Sequence, residues 1–262
     1  MSKLLLVDGD NLLHRCWHAN SAIDGEVSAV IDNFCNAVIN AAGMNDCTHQ
    51  VVIFDTDLPS FRHNLFHDYK AHRAPKAFDV NQYRCEIKSA LMQNHCRVLD
   101  LAGYEADDVI ATMAIRASDK AIDCLIMTTD SDYWALIRDG SVGIGSVHIL
   151  RPPVRSSDGF KVIDVMACVS KYALIPSQLV ELKMLVGDRS DNIPGVNKVG
   201  AKTGLKLLQK YGDIANILAN LDVIGGVIAK NIGDADLELM RTLVTLKVDV
   251  PLPTLHLENY KI

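Results

Sequence analysis

The chain has 262 residues, of which 49% are hydrophobic and 22% charged, with 32 acidic and 26 basic residues. This length and composition suit one large domain or two small ones with a packed core, and they exclude a wholly disordered chain. No apolar run of about 18 residues and no signal-peptide pattern occurs, so we expect a soluble protein that stays in the compartment where it is made. The net charge of −6 argues against nucleic-acid binding only if the charge is spread uniformly.

Seven cysteines are scattered along the chain without any C-x-x-C pair, which argues against a zinc knuckle or a disulfide framework. Single cysteines in apolar surroundings are typical of reduced thiols in the core of a cytosolic protein. The cysteines are Cys16, Cys35, Cys47, Cys85, Cys96, Cys124 and Cys168.

Three apolar runs of four residues each lead into acidic residues. They are 4–7 before Asp8, 51–54 before Asp55, and 124–127 before Asp130 and Asp132. Short continuous apolar runs are typical of strands buried on both faces of a parallel sheet. The segments between them have helical patterns, at about 25–42, 80–96, 105–118 and 131–138. Strands alternating with helices predict an α/β sheet with right-handed crossovers.

The acidic residues after these strands would meet at one edge of the sheet, because functional sites of such sheets lie beyond the carboxyl ends of the strands. A single aspartate after a strand is usually a helix cap or a turn former. Several together repel one another and need a cation to compensate them.

A further acidic group lies in the segment from Gly103 to Ile110. Glu105 and Asp108 are three residues apart and therefore share a helix face, with Asp107 beside them. Acidic residues also suit a helix N-terminus electrostatically, which explains one or two of the three without any metal.

Beyond residue 150 the pattern changes at Arg151-Pro152-Pro153, and the remainder is predicted to be mostly helical without a strong strand. The best helix candidates are 160–172, 177–186, 201–211 and 235–247. A Gly/Pro-rich hairpin at 187–200 precedes four lysines spaced by four. These are Lys198, Lys202, Lys206 and Lys210. Such a stripe is commonly a solvated helix face, but a glycine hairpin in front of it also suits a grip on phosphates.

A second basic patch extends from Arg62 to Lys76, with Asp68 as its only acidic residue. Histidines and the aromatic residues Phe61, Phe66 and Tyr69 are interleaved with its lysines and arginines. This mixture is expected where single-stranded nucleic acid is stacked and neutralised.

Together these segments resemble the 5′-nuclease (flap endonuclease) family, which includes the 5′→3′ exonuclease domain of bacterial DNA polymerase I, free-standing bacterial homologues and bacteriophage 5′-exonucleases. The resemblance extends from Val7-Asp8 to the lysine helix ending near Tyr211. Its most specific pieces are Phe61-Arg62 with Tyr69–Arg73, then Gly103–Asp108, Thr129–Asp132 and Gly187–Gly200.

The resemblance implies a PIN-like parallel α/β sheet flanked by helices in residues 1–150, with a helical arch at about 62–95. Residues 151–262 would form a helical DNA-binding region with a helix–three-turn–helix motif. It also implies two divalent metals, Mg²⁺ with Mn²⁺ as a substitute. Asp8, Asp55, Glu105, Asp107 and Asp108 match the family positions for the first metal, and Asp130, Asp132, Asp188 and Asp191 match those for the second.

The resemblance further assigns roles to basic residues and to the hairpin. Lys70 and Arg73 would contact the scissile phosphate, and Tyr69 would stack on a displaced base. Contacts to DNA are also expected from Arg62, Lys76, Lys183, Lys198, Lys202, Thr203 and Lys206. Potassium would be bound by the carbonyls of Leu185, Val186, Pro194, Val196 and Val199. Family members usually have a small residue and glycine where this chain has Asn197 and Lys198.

A two-metal site also follows from the chemistry alone. Phosphodiester hydrolysis needs a hydroxide, neutralised phosphate charge and a stabilised leaving alkoxide, and two hard cations about 4 Å apart supply all three. Without the nine predicted metal ligands, the acidic residues no longer outnumber the basic ones, which removes the objection from net charge.

We therefore expect a structure-specific 5′-nuclease, a 5′→3′ exonuclease and flap endonuclease that leaves 5′-phosphates on DNA. It would be a monomer in the cytoplasm of a bacterium or a phage-infected cell, working with replication proteins in trans. One alternative is a PIN-type ribonuclease, although such chains are usually shorter and lack the hairpin with its lysine helix. The other is a non-catalytic protein that binds branched DNA, which would not need nine carboxylates.

Overall fold

The computed structural model describes residues 2–20, 27–73, 78–154 and 158–262. The strands are β1 (Lys3–Asp8), β2 (His49–Ile53), β3 (Arg97–Leu99), β4 (Asp123–Met127), β5 (Val147–Arg151), β6 (Lys161–Ile163), β7 (Gly187–Asp188) and β8 (Ile193–Pro194). The helices are α1 (Gly9–Asn20), α2 (Val27–Met44), α3 (Phe61–Leu65), α4 (Val80–Gln93), α5 (Ala106–Ser118), α6 (Val165–Tyr172), α7 (Gln178–Val186), α8 (Ala201–Tyr211), α9 (Ile214–Ala219), α10 (Leu221–Ile224), α11 (Gly226–Gly233) and α12 (Leu237–Val244). Short 3₁₀ helices cover Asp132–Leu136 and Leu257–Tyr260.

The chain forms two compact units. The core unit comprises Met1–Pro59, Lys76–Asp164 and Leu246–Ile262, and the helical unit comprises Ser60–Pro75 and Val165–Thr245. The predicted α/β fold, a mostly parallel sheet flanked by helices followed by a helical region, is confirmed.

The sheet of the core unit has the strand order β3-β2-β1-β4-β5-β6, in which only the pairing of β5 with β6 is antiparallel. The three apolar runs predicted as strands lie in β1, β2 and β4. Leu4, Leu5 and Leu6 are fully buried, because the central strand β1 is covered on both faces. Helix α2 packs on the core with Val30, Phe34 and Val38, which are four residues apart and so form one stripe.

The prediction of a continuous helix over 160–172 is wrong, and the strands that follow residue 151 are only two or three residues long. Residues Lys161–Ile163 form β6 on the edge of the sheet, and helix α6 begins only at Val165. Strand β5 offers open backbone hydrogen-bonding groups at that edge, and pairing with them outweighs the local helical pattern.

The helical unit has its own apolar core, to which α7, α8, α9, α11 and α12 contribute. The helix predicted over 201–211 is observed with the same bounds, whereas the one predicted over 235–247 is shorter. Among the described residues, no helix has both the length and the apolar run needed to cross a bilayer.

All seven cysteines are free, as predicted. Four are buried, and burial raises the pKa of the Cys124 thiol to about 12, which keeps it protonated and unreactive. Cys85 is the exception to the predicted core location, because it is exposed on α4.

Candidate active site

The carboxyl ends of β1, β2 and β4 collect the acidic residues that the sequence predicted there. The strand order reverses between β1 and β4, which is the switch point where sheets of this type leave a crevice. Asp8 ends β1, Asp55 follows β2, and Asp130 follows β4.

Asp8 is buried, with 8% of its surface exposed. Its carboxylate accepts hydrogen bonds from the Asn11 amide at 3.2 Å and from the Thr128 hydroxyl at 3.0 Å. Burial raises the pKa of Asp8 to about 7, and the negative charges of Asp55 and Asp10 add to this effect against those two hydrogen bonds. A buried carboxylate with acidic neighbours is stabilised in its charged form by a cation.

Asp55 connects the end of β2 to the start of α5. Its Oδ1 accepts a hydrogen bond from the Ala106 amide at 2.7 Å, and its own amide donates to Asp10 Oδ2 at 2.8 Å. Asp10 in turn forms a bidentate ion pair with Arg84, with distances of 2.8 and 2.9 Å. This buried pair anchors the loop that carries Asp55.

Glu105, Asp107 and Asp108 form a compact acidic group at the N-terminus of α5. Each offers a carboxylate oxygen, and these oxygens lie within 4.8 Å of one another. Asp108 is completely buried, while Glu105 and Asp107 are half-buried. The predicted grouping of these three residues is therefore observed.

The loop after β4 is held by hydrogen bonds to the segment that follows β1. Asn11 Oδ1 accepts from the Thr129 amide at 3.0 Å and from its hydroxyl at 2.9 Å. In the next turn the Asp132 amide donates to Asp130 Oδ1 at 2.9 Å. Residues 132–136 form a 3₁₀ helix, so the predicted α-helix over 131–138 is corrected.

Tyr133 lies beneath this acidic edge. It is 1% exposed, and its hydroxyl has no hydrogen-bond partner among the described residues. Burial raises the pKa of Tyr133, and the charges of Asp8, Asp107 and Asp130 raise it further. Because an unsatisfied buried hydroxyl is costly, this atom indicates a polar partner that the described residues do not supply.

These residues fit a divalent cation. Their oxygen ligands are those preferred by Mg²⁺ and Mn²⁺, and the mutual repulsion of the carboxylates falls when a cation binds. A metal-bound water would also offer a partner to the Tyr133 hydroxyl.

Sequence reasoning missed four residues of this site, namely Asp10, Asn11, Arg84 and Tyr133. Asp10 and Asn11 lie just after Asp8, so proximity was the available signal. Arg84 is one charged residue among many on a helix, and nothing in the sequence indicates that it pairs with Asp10.

In the helical unit, Asp188 and Asp191 are each paired with basic residues. Lys183 Nζ lies 2.6 Å from Asp188 Oδ2. Burial acts to raise the pKa of Asp188, but hydrogen bonds from Lys183 and Ser190 outweigh it and lower the value to about 2.

Asp191 contacts all three residues of the basic patch for which a role at the scissile phosphate or base was predicted. Arg73 Nη2 lies 2.5 Å from its Oδ1, Lys70 Nζ lies 3.9 Å from its Oδ2, and the Tyr69 hydroxyl donates to Oδ2 at 3.2 Å. Lys70 has a positive φ of 57°, and its amide donates to the Asp191 carbonyl at 2.9 Å. A lysine held in the left-handed region is strained, as is common at functional sites.

Two residues predicted to contact DNA are buried instead. Arg62 is 1% exposed and donates to the carbonyls of Leu243 at 3.0 Å and Thr245 at 2.9 Å, so it stabilises the end of α12. Tyr69 is 3% exposed and packs in the core of the helical unit, which argues against stacking on a base in this conformation. Lys76 lies outside the described residues.

The predicted hairpin is formed by β7 and β8. A Cβ atom at Gly187 would come within 2.3 Å of the Gly195 nitrogen, and one at Gly195 within 2.2 Å of the Val186 carbonyl carbon, so the close approach of the two backbone segments requires both glycines. Lys198 adopts φ of 63° and so keeps the left-handed conformation for which glycine is favoured. Two of the carbonyls predicted to bind potassium already accept internal bonds, Leu185 from the Val196 amide and Val196 from the Val199 amide.

Helix α8 carries the predicted lysine stripe. Lys202, Lys206 and Lys210 are exposed, while Gly204 and Leu208 face the core, so the stripe is a solvent-facing surface. Thr203 lies in the first turn of the helix and is half-buried.

Residues 3–173 match the family described as 5′-3′ exonuclease, N-terminal resolvase-like domain, and residues 174–262 match 5′-3′ exonuclease, C-terminal SAM fold. The thermostable DNA polymerase I of Thermus aquaticus is 34% identical over 255 residues, which cover 95% of this chain and 29% of that protein. DNA polymerase I of Synechocystis is 30% identical over 260 residues, covering 95% of this chain and 26% of the relative. The chain thus spans less than a third of the curated relatives it matches.

Among solved structures, the fold is similar to a mutant of the 5′-exonuclease of bacteriophage T5, with a TM-score of 0.71, 21% identity and coverage of 95% of this chain and 89% of that one. It is also similar to the catalytic core of Rad2 in complex with DNA substrate, with a TM-score of 0.58, 16% identity and coverage of 92% and 71%. With both domain families matched in order across residues 3–262, the chain belongs to the 5′-3′ exonuclease family.

Proposed function

We propose that this chain is a metal-dependent, structure-specific 5′-nuclease that hydrolyses DNA at or near 5′ ends and at 5′ flaps and leaves 5′-phosphates. The observation that carries the proposal is the collection of carboxylates at the switch point of the sheet, with Glu105, Asp107 and Asp108 oxygens within 4.8 Å of one another. Support also comes from a flap endonuclease of bacteriophage T5, 22% identical with a TM-score of 0.72, whose structure is described as a pseudo-enzyme-product complex with DNA and metal ions.

Mg²⁺ is the proposed cofactor, with Mn²⁺ as a substitute. Asp8, Asp55, Glu105, Asp107 and Asp108 are the candidates around the first ion, and Asp130, Asp132, Asp188 and Asp191 remain the candidates for the second. When bound, the two ions would activate the attacking water and stabilise the leaving oxygen. The chain's own contribution is orientation, through the bonds from Ala106 to Asp55 and from Thr128 to Asp8.

The helical unit is the proposed DNA-binding part. Lys198, Lys202 and Lys206 are exposed and would neutralise phosphates, with Thr203 in the first turn of α8 beside them. Lys183 would reach DNA only after it leaves Asp188, to which it is paired. Potassium binding by the hairpin carbonyls of residues 185, 186, 194, 196 and 199 stays a prediction.

Lys70 and Arg73 are the proposed contacts to the scissile phosphate. Both are held by Asp191 in this conformation, so a phosphate would compete with that carboxylate for them. Their positive charges would then stabilise the charge that develops in the transition state.

A nuclease core over 1–150 and a DNA-binding region over 151–262 remain the proposed functional division, together with an arch over about 62–95. The family boundary at residue 174 supports a division into two parts. The compact units depart from the proposed bounds, because Leu246–Ile262 belongs to the core unit and Ser60–Pro75 to the helical unit. Within the arch, α3 and α4 are helical, and residues 74–77 lie outside the described part. Action as a cytoplasmic monomer with replication proteins in trans belongs to the same proposal.

The decisive experiment is digestion of a 5′-labelled flap DNA and of its RNA counterpart, with Mg²⁺ and with EDTA. Mg²⁺-dependent cleavage of the DNA near the flap junction is expected. Cleavage of RNA alone would favour a PIN-type ribonuclease, and binding without cleavage would favour a branched-DNA scaffold. Asp130→Ala serves as the matched inactive variant, because it removes a predicted ligand from an exposed loop position.

Lys70→Ala is expected to slow single-turnover cleavage by about 10²–10³-fold, because one contact to the developing charge is lost. Binding of the flap DNA, measured in Ca²⁺ to prevent cleavage, should change far less, since neighbouring bases preserve the attraction. Lys230→Ala, an exposed lysine on α11, is the control for loss of a positive charge. A binding defect without a rate defect would assign Lys70 to DNA binding alone.

A further inference from the structure

The C-terminal segment of the core unit is held by side chains rather than by regular secondary structure. Residues 246–256 form neither helix nor strand. Several of their backbone groups are instead bound by side chains on one face of α5 and by Lys120, which lies just past the end of that helix. The binding residues are four apart along the chain, so they form a single stripe. They are Asp108, Thr112, Arg116 and Lys120.

Thr112 is the second residue of this stripe, one helical turn after Asp108. Its hydroxyl donates to the Lys247 carbonyl at 3.1 Å and accepts from the Val250 amide at 3.2 Å. The side chain is fully buried, and of its two bonds the one from the Val250 amide is buried while the one to the Lys247 carbonyl is partly buried. Thr112 therefore binds the segment at two points three residues apart.

Arg116 and Lys120 hold the following residues. Arg116 donates to the Val250 carbonyl at 2.8 Å and to the Leu252 carbonyl at 3.1 Å, and Lys120 donates to the Leu255 carbonyl at 3.2 Å. The segment thus follows α5 from Asp108 to Arg116 and continues past the end of the helix to Lys120. The backbone groups of residues 247, 250, 252 and 255 are bonded to these side chains in place of a sheet partner.

Asp108 joins this stripe to the acidic group. Its Oδ1 accepts from the Lys247 amide at 2.8 Å, and its Oδ2 accepts from the Glu105 amide at 3.4 Å. One carboxylate is therefore bonded at once to the C-terminal segment and to the residue that begins the acidic group. Asp108 is completely buried, unlike Glu105 and Asp107.

We propose that the segment Lys247–Leu255 is a strap that sets the position of the acidic group at the start of α5. Both carboxylate oxygens of Asp108 accept backbone hydrogen bonds, so we assign this residue, named above among the candidates around the first ion, a positioning role. The strap acts through Asp108, and Glu105 and Asp107 are the ligands that it orients. This inference rests on the proposed function in one respect only, which is that the acidic group binds a divalent cation.

The physical reason lies in the position of the acidic group. The first turn of a helix lacks part of its internal hydrogen bonding, and three carboxylates within 4.8 Å repel one another. Both effects favour fraying. A carboxylate bonded to a backbone amide from a distant segment opposes it, and partners of this kind around metal sites typically change metal affinity by 10–100-fold.

The first test loosens the strap without touching a carboxylate. Thr112→Val removes both hydroxyl bonds at nearly constant volume, and Arg116→Gln, at a half-buried position, is a second variant in case the first folds poorly. Amide hydrogen exchange of Lys247 and Val250 and titration calorimetry with Mn²⁺ are measured on the metal-free protein. We expect exchange at least about 10-fold faster and Mn²⁺ affinity about 10-fold weaker.

Arg97→Ala is the matched control. Arg97 lies on β3 and donates to the Asn259 carbonyl at 3.0 Å, so it holds C-terminal residues that lie beyond the strap. Exchange at Lys247 and Mn²⁺ affinity should stay within about twofold of the wild type. Faster exchange in the Thr112 and Arg116 variants with unchanged Mn²⁺ affinity would overturn the proposal, as would unchanged exchange in both.

The second test separates positioning from ligation. Asp108→Asn keeps an oxygen that accepts from Lys247, so it should weaken Mn²⁺ binding much less than Asp107→Asn does. Equal losses for the two would make Asp108 a direct ligand and overturn its assigned role. These readouts do not require cleavage. If Mn²⁺ affinity depends on the strap as expected but flap DNA stays intact, only the proposed function is contradicted.

Discussion

Asp8 shows how burial and neighbouring negative charges together raise the pKa of a single carboxyl group. Its pKa is raised from 3.8 to about 7, first by burial and then by the charges of Asp55 and Asp10. Between pH 3.8 and about 7, Asp8 keeps its proton in the folded protein and loses it in the unfolded chain. The contribution of Asp8 to the free energy of unfolding is therefore greatest below pH 4 and is lost as the pH rises towards 7.

Asp8→Asn should therefore stabilise the metal-free protein at pH 8, by at most about 4 kcal/mol, and the gain should shrink as the pH falls to 4. Urea unfolding in EDTA at pH 4, 6 and 8 measures the difference. Asp222→Asn, at an exposed position on α10, controls for the loss of an acidic residue. In Mg²⁺ the wild type should gain stability that the Asp8 variant lacks. A larger gain at pH 4 than at pH 8 would contradict the prediction.

Lys198 occupies one of the two positions where the family resemblance predicts other residues, here a glycine, and it adopts a glycine-like conformation. Its φ of 63° is the conformation that glycine adopts most easily. For a residue with a side chain this conformation costs about 1–2 kcal/mol, so the geometry is kept at the expense of stability.

Lys198→Gly is accordingly expected to raise the free energy of unfolding by about 0.5–1 kcal/mol, since the relief of strain exceeds the extra flexibility of glycine in the unfolded chain. Chemical denaturation measures this change. Asn197→Gly is the neighbouring control. Asn197 is not among the residues with positive φ, so this variant relieves no strain and should lower the free energy of unfolding. A destabilised Lys198→Gly variant would show that the lysine makes a stabilising contact.

At the scale of secondary-structure elements, buried polar side chains hold the ends of helices and strands. The start of α5 is bonded to Asp55, the strand ends β1 and β4 are joined by Thr128 and Asp8, and the end of α12 is bonded to Arg62. Each bond joins elements that are distant in sequence, so local propensity alone does not position them.

Arg62→Met should destabilise the helical unit by about 2–4 kcal/mol, because the carbonyls of Leu243 and Thr245 lose a charged donor in a buried place. Urea denaturation followed by circular dichroism reports the change through the loss of helix. Arg189→Met, at an exposed position of the same unit, is the matched control and should stay within about 0.5 kcal/mol. If the Arg62 variant keeps its stability but loses DNA affinity, the original DNA-binding assignment would be restored.

At the scale of the whole molecule, the predicted acidic metal ligands and the exposed lysine stripe lie mostly in different units. Seven of the nine predicted metal ligands belong to the core unit, and the exposed lysine stripe of α8 belongs to the helical unit. The net charge of −6 therefore does not describe the lysine-rich surface that is proposed to bind DNA.

Replacing both Lys202 and Lys206 by alanine should weaken duplex binding and lower the salt dependence by up to about two units of slope, or roughly 0.9 per lost phosphate contact. Binding isotherms in Ca²⁺ at several KCl concentrations measure the slope. Lys120 is bonded to the Leu255 carbonyl and is unsuitable as a control, whereas exposed Lys230 is suitable. An unchanged slope would mean that the stripe is only a solvated face.

The sequence by itself determined the central strands, the edge where the acidic residues meet and the lysine stripe. A strand buried on both faces requires a continuous apolar run, such as Leu4–Val7, and parallel strands bring their carboxyl ends to one edge. The bounds of α8 also follow from its strong apolar periodicity and the glycines at its ends.

Only the tertiary structure decided which charged residues are buried and paired. Nothing in the sequence indicates the partners of Arg62, Arg84 and Asp108, because these partners are 181, 74 and 139 residues away along the chain. Sequence periodicity reports which face of an element is apolar, but a hydrogen bond depends on where two distant segments meet in the fold. For the same reason Lys161–Ile163 became a strand, because the open edge of β5 was available to it.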